Sequence, residues 1–452
     1  PWLARLPLPP TASCPVSMDS LRRVIMLLVW LGAIAALFDP WPWLRAVAAA
    51  LFLVFIAMTA RRIRRETWLV VGGIALAGAV VLALGGRPAL FWQGIERALI
   101  FAGLLPTLQL TRALAWRMPP AVRARERLAA LPARAADVGL MAGAQAFGYM
   151  LSTGAFAMMS SLVAPDAAEG RRRAAGAATL RGMSMAILWS PFFVAFAVAA
   201  TYLPMVPPWQ IFALGFVLTV GALGLSILMF ARPLSLAVVG QVLICLIPIL
   251  PYLVVIVGTV MGAAGGFGLS TLGAVMVMMP LLVGLQVILR PSLLTPVVRD
   301  TAQGFDRLGD DLLLITASMS LATAAVATGA IADYVALAAA TEVPAAVVIA
   351  AMLLSQLLPA MVGVHPIISG TVVLAALTSQ PLTVAPLLLF QAMVAGWALG
   401  TMISMSAISV VTSASMFNIP PHHLAYGRNL PYALAVAGLV VAVLSGLDAL
   451  LA

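Results

Sequence analysis

Hydroxyl-bearing and small residues gather at two matched pairs of positions in an otherwise apolar chain. Ser152-Thr153-Gly154 is followed by Ser190-Pro191. His365-Pro366-Ile367-Ile368-Ser369-Gly370-Thr371 is followed by Ser404-Met405-Ser406. Covalent chemistry would need a constellation of positioned acid, base or metal beside such groups, and beyond the single His365 none accompanies them. What they can do is hold a solute. A helix interrupted at membrane depth leaves backbone groups unpaired, which a bilayer tolerates only where they face protein, water or a bound ligand. Helix N-termini at such breaks present N–H groups and a positive dipole end, a combination that favours an anion. Serine and threonine hydroxyls add donors, and Gly154 and Gly370 let the backbone approach the ligand closely.

The candidate substrate contacts are therefore Ser152, Thr153, Gly154, Ser190, Pro191, His365, Pro366, Ser369, Gly370, Thr371, Ser404 and Ser406. Ser152, Ser369 and His365 are also candidates for a coupling ion, sodium or a proton. Each residue has a plainer reading. Serines and threonines at a break cap helices or pack between them, Ser190-Pro191 makes a proline kink, and His365 can be a neutral, hydrogen-bonded histidine. Recurrence of the break in both halves favours the binding role.

Placing these residues at one depth requires a polytopic helical membrane protein. The chain has 452 residues, 63% of them hydrophobic and 9% charged, and a mean hydropathy of +1.10. Too little polar surface remains for a water-soluble globule. Apolar runs recur from Val24 to the C-terminus, and we read eleven transmembrane helices plus two re-entrant hairpins in an inverted-topology repeat. Residues 1–17, rich in proline, read as a disordered tail or a start-site artefact, and 18–43 as an N-terminal transmembrane helix. Residues 44–232 form the first repeat, with an inward hairpin over 137–165 and a broken helix over 175–204. Residues 233–452 form the second, with an outward hairpin over 344–379 and a broken helix over 384–417.

Arginine placement sets the orientation. The 25 basic residues are all arginine, and Arg61-Arg62-Ile63-Arg64-Arg65 and Arg112 to Arg134 read as cytoplasmic by the positive-inside rule. The N-terminus is then cytoplasmic. Basic residues on both sides of 137–165 require that segment to enter and leave from the cytoplasm. The second pair must enter from outside for His422, His423 and Arg428 to be cytoplasmic, and the loop holding Asp333 and Glu342 has no arginine. Thr201 to Ile211 (TYLPMVPPWQI) matches Ser415 to Ala425 (SMFNIPPHHLA) in place and composition. No carboxylate falls at the centre of a span, and Asp310-Asp311 read as structural residues at a helix N-terminus.

On these features the chain resembles the ion transporter superfamily, in particular the divalent anion/sodium symporters and the related large permease subunits of tripartite dicarboxylate carriers. The resemblance covers residues 22–451 and rests on architecture. Those symporters carry Ser-Asn-Thr at the hairpin tips, where this chain has Ser152-Thr153-Gly154 and Ser369-Gly370-Thr371. The resemblance implies an elevator-type secondary transporter in which two hairpins and two broken helices slide against a scaffold, often dimeric, to move a small carboxylate or dicarboxylate.

The alternatives are a permease subunit that receives solute from a periplasmic binding protein and, from another class, an intramembrane lipid-linked transferase. The short loops argue against the transferase. The basic balance follows from topology rather than from nucleic acid, Cys14 and Cys245 suggest neither disulfide nor metal, and no ATP-binding loop is present. The expectation is a non-enzymatic, multi-pass protein of a bacterial inner membrane, with no cofactor beyond a coupling Na+ or H+.

Overall fold

The computed structural model describes residues 18–38, 41–164, 166–230, 236–328, 343–379, 381 and 384–451. Regular structure among them is entirely helical. The first four helices are α1 (Met18–Ala35), α2 (Pro42–Thr59), α3 (Arg65–Ala83) and α4 (Pro88–Ala115). Then come α5 (Pro119–Ala129), α6 (Ala136–Leu151), α7 (Gly154–Ser160), α8 (Glu169–Ala186), α9 (Val194–Tyr202) and α10 (Pro208–Phe230). The second half contains α11 (Leu236–Leu246), α12 (Leu250–Gly266), α13 (Thr271–Leu289), α14 (Leu294–Phe305), α15 (Gly309–Ala327), α16 (Ala345–Met361) and α17 (Pro366–Leu377). It ends with α18 (Pro386–Ile403), α19 (Ile408–Phe417), α20 (Pro421–Ala425) and α21 (Asn429–Leu451).

Nine helical stretches among the described residues are long and apolar enough to cross a membrane. This is a multi-pass membrane protein. The tail 1–17, Arg232, and the loop holding Asp333 and Glu342 lie outside the described residues.

Apolar helices here divide by what covers them. All residues of α8 from Ala175 to Ala186 and of α18 from Leu388 to Ile403 are buried, so these two helices form the centre of the protein. Along Leu236–Gly266 only 17% of the most apolar window is buried, and Leu250, Val254 and Val255 point outward. Such a face suits acyl chains.

The two central helices are gripped in the same way. On α8, a Cβ at Gly182 would lie 2.0 Å from the Met141 carbonyl oxygen of α6. On α18, a Cβ at Gly396 would lie 2.9 Å from the Leu353 carbonyl oxygen of α16. Glycine allows backbone-to-backbone contact in both pairs. Gly182 precedes Ser190 by eight residues and Gly396 precedes Ser404 by eight, which aligns the two broken helices without a gap.

Each break has a local cause. α8 ends at Ala186, where Pro191 lacks a donor and disfavours helical geometry at Ser190, and α9 resumes at Val194. α18 stops at Ile403 with Ser404 extended, and α19 begins at Ile408. The α6–α7 junction turns through Ser152 at φ +50°, and the α16–α17 junction through Gly363 at φ +90°. Pro366 at the first position of α17 suits a helix start.

Within 137–165, read from the sequence as a hairpin, the segment after the first junction is helical only over Gly154–Ser160. The Ser160 and Ser161 hydroxyls turn back onto the Ala157 and Met158 carbonyls at 3.1 and 2.7 Å and end it. Pro165 lies outside the described residues.

Arginine-rich ends gather at one pole of the bundle. Asp306 receives Arg22 at 2.9 Å and Arg23 at 2.6 Å. Asp310 accepts from the Arg64 amide at 3.0 Å and the Thr67 hydroxyl at 2.6 Å. Arg117 pairs with Asp300 at 2.6 Å. These bonds tie the start of α1 to the α14–α15 link, the start of α3 to the first turn of α15, and the segment after α4 to α14.

Candidate functional site

A cavity of about 190 Å³ opens where both junctions and both breaks meet. Ser152 and Thr153 come from the first junction and His365 from the second. Phe193 and Val194 come from the first break, and Ala407, Ile408 and Ser409 from the second. The N-termini of α9, α17 and α19 thus all reach the cavity. α9 and α19 have no side-chain cap, so their first N–H groups remain available to a ligand. α17 is capped by His365, whose Nδ1 accepts from the Ile367 amide at 3.2 Å. The imidazole also stands edge-on to Trp397, with ring centres 5.5 Å apart.

The opposite wall carries formal charge. From α4, Gln109 and Arg112 face the cavity; from α15, Asp311 does. Arg112 and Asp311 are half-buried, and no hydrogen bond or ion pair engages either side chain among the described residues. Neighbouring acidic residues are already satisfied, Asp310 by Thr67 and Arg64 and Asp300 by Arg117.

Arg112 stands in the last turn of α4 and Asp311 in the first turn of α15, at helix ends as the sequence reading has them, and both also face the cavity. Both stand on recognisable stripes. Leu105, Leu108, Gln109 and Arg112 share one face of α4, and Leu308, Asp311, Leu314 and Ile315 share one face of α15. A polar residue closing an apolar stripe at helical spacing was the signal available.

The remaining candidates fall behind the cavity wall. Ser190 is fully buried, donating to the Tyr149 carbonyl at 2.9 Å and accepting from the Phe192 amide at 3.3 Å. Pro191 forms the break. Ser404 is buried and shares a hydrogen bond with Ser406 at 3.1 Å, while the exposed Ser406 donates to the Gly363 carbonyl at 3.1 Å. In each half, then, a serine of the break holds a carbonyl of the paired segment, Tyr149 near the end of α6 in one and Gly363 in the α16–α17 junction in the other. Gly154 faces the Trp116 ring, 2.8 Å from where its Cβ would stand, and Gly370 abuts Gln356 at 2.7 Å. Pro366 is buried at the start of α17. The hydroxyls of Ser369 and Thr371 are buried without a hydrogen-bond partner, one and two turns along α17 from the cavity. Of the twelve sequence candidates, Ser152, Thr153 and His365 line it.

Chemically, the arrangement offers the N–H groups of two uncapped helix starts, α9 and α19, and the hydroxyls of Ser152 and Thr153, together with a guanidinium from α4 and a carboxylate from α15. The helix starts and Arg112 are the groups here that could receive an anion, and Asp311 is the one that opposes it. The sequence matches no protein-family model and no curated protein.

Proposed function

We propose that this chain is a secondary active transporter of the elevator type that moves a small organic anion, a carboxylate or dicarboxylate, with sodium or proton coupling. One observation carries the reading: the two junctions and two breaks, far apart in sequence, converge on one cavity fringed by helix N-termini. In this reading α6–α7 and α16–α17 are re-entrant hairpins of opposite topology, and eleven helices span the membrane. The equal eight-residue offset from Gly182 to Ser190 and from Gly396 to Ser404 supports the inverted repeat. The resemblance to the ion transporter superfamily, which rests on architecture, supports the same reading, and the arginine distribution supports a cytoplasmic N-terminus in a bacterial inner membrane.

The deciding experiment is uptake of labelled succinate and a panel of carboxylates into proteoliposomes, with sodium and proton gradients imposed separately. Uptake driven by one gradient establishes the transporter and its coupling ion. A reconstituted, folded protein that takes up none of the panel under either gradient refutes the reading.

A further inference from the structure

Resting on that reading, we propose that Asp311 is a proton-binding residue linked to the anion: a carboxylate entering the cavity is bound together with one proton taken onto Asp311. The argument starts from its surroundings. Asp311 is half-buried in the wall of the cavity, with no hydrogen bond or ion pair engaging it among the described residues. A carboxylate in that position is left either with a counter-charge in the cavity or with a proton.

The charged groups around it identify which. From α4, Arg112 faces the same cavity without forming an ion pair. From the start of α3, Arg64 is directed at the neighbouring Asp310 through its amide, and its guanidinium lies 3.6 Å from that carboxylate. From α17 only His365 approaches, and from the end of α2 Arg62 is held by Asp19. In the empty cavity Arg112 is therefore the cation that favours ionised Asp311. A bound carboxylate takes Arg112 for itself and places a second negative charge opposite Asp311. Both changes favour protonation of Asp311. The proton comes from bulk water, forming one O–H bond on Asp311 and breaking none in the anion.

Two competing groups are less suited. A sodium ion needs several oxygen ligands, but the cavity-lining residues on either side of Asp311 along α15 are Leu308, Leu314 and Ile315. His365 would have to accept its second proton at Nδ1, which already accepts the Ile367 amide. Protonating it would break the cap of α17.

The test is anion binding to the purified full-length chain, followed by intrinsic tryptophan fluorescence between about pH 5 and 8, with proton uptake measured in weak buffer. Succinate, pyruvate and lactate serve as probes. Expected is uptake of about one proton per anion and an affinity that weakens about tenfold per pH unit once free Asp311 is ionised. Asp311→Asn loses both the uptake and the slope, and Asp311→Glu restores them. The proposal is overturned if wild-type protein binds a probe without proton uptake, if binding requires sodium instead, or if Asp311→Asn leaves the uptake unchanged. Any of these leaves the transporter reading standing. Failure of all three probes to bind at any pH removes both. The proton count on wild-type protein decides the matter even where the asparagine variant does not fold.

Discussion

Gly182→Ala offers a sharp test of how the cavity is held. The added methyl would stand 2.0 Å from the Met141 oxygen, 2.8 Å from its carbon and 3.0 Å from its Cα. These are backbone atoms, so no rotamer change relieves the contact. Restoring an ordinary C···O approach requires α6 to retreat from α8 by about 1.3 Å. Overpacking of that kind costs about 1–3 kcal/mol, against a gain of up to about 1 kcal/mol from replacing glycine within a helix. The control is Gly438→Ala in α21, where nothing lies within 4 Å of the new Cβ; there the expected change is a gain of about 0.5–1 kcal/mol. Because α6 carries Ser152 and Thr153 at its end, the retreat also moves one side of the cavity. Thermal unfolding in detergent and carboxylate binding should both decline in Gly182→Ala and hold in Gly438→Ala. Equal stability of the two variants would refute the close approach of α6 and α8.

Ser190→Ala strands the buried Tyr149 carbonyl and should cost about 1–3 kcal/mol, whereas Ser406→Ala, at an exposed tie, should cost no more than about 1 kcal/mol; comparison of their melting curves checks the difference. Arg112→Gln should weaken binding of a carboxylate by about 10–100-fold, the worth of a charged hydrogen bond of about 1.5–3 kcal/mol, measured by titration at fixed pH. At Asp306, burial raises the carboxyl pKa, but hydrogen bonds from Arg23 and Arg22 outweigh it and hold the group below its ordinary range. Its stabilising effect is thus complete above the unfolded value of about 4 and fades as pH falls through the lower folded value. The acid limb of a stability profile should flatten in Asp306→Asn.

Much of the architecture was legible in the sequence because breaks leave local marks. Pro191, the Ser152–Gly154 cluster and the His365-Pro366 start each announced an interruption that the helices reproduce. Ser404 had no proline beside it, and its position emerged from likeness to Ser190. The charged wall was less visible. Arg112 was counted with its neighbours as a topological signal, although its helix continues to Ala115 and turns its side chain inward. Asp310 and Asp311 are adjacent in sequence but about 100° apart around a helix, so one meets Thr67 and the other the cavity. Ser190 presents the reverse case: its hydroxyl looked available because its distance from the Tyr149 carbonyl cannot be read from sequence.

The separation of formal charges from neutral donors has a further consequence for any sliding motion of the kind proposed. Arg112 and Asp311 belong to α4 and α15, whereas the hydroxyls and helix starts belong to the junctions and broken helices. A displacement of even one helical turn, about 5.4 Å, would carry an anion's neutral cradle away from both charges. The same ligand would then experience two affinities, tight and pH-dependent at one membrane face, weaker and pH-indifferent at the other. A proton left behind on α15 would return to the solution it came from rather than cross. Acidity on that side would then alter how firmly cargo is held there without entering the stoichiometry of the cycle.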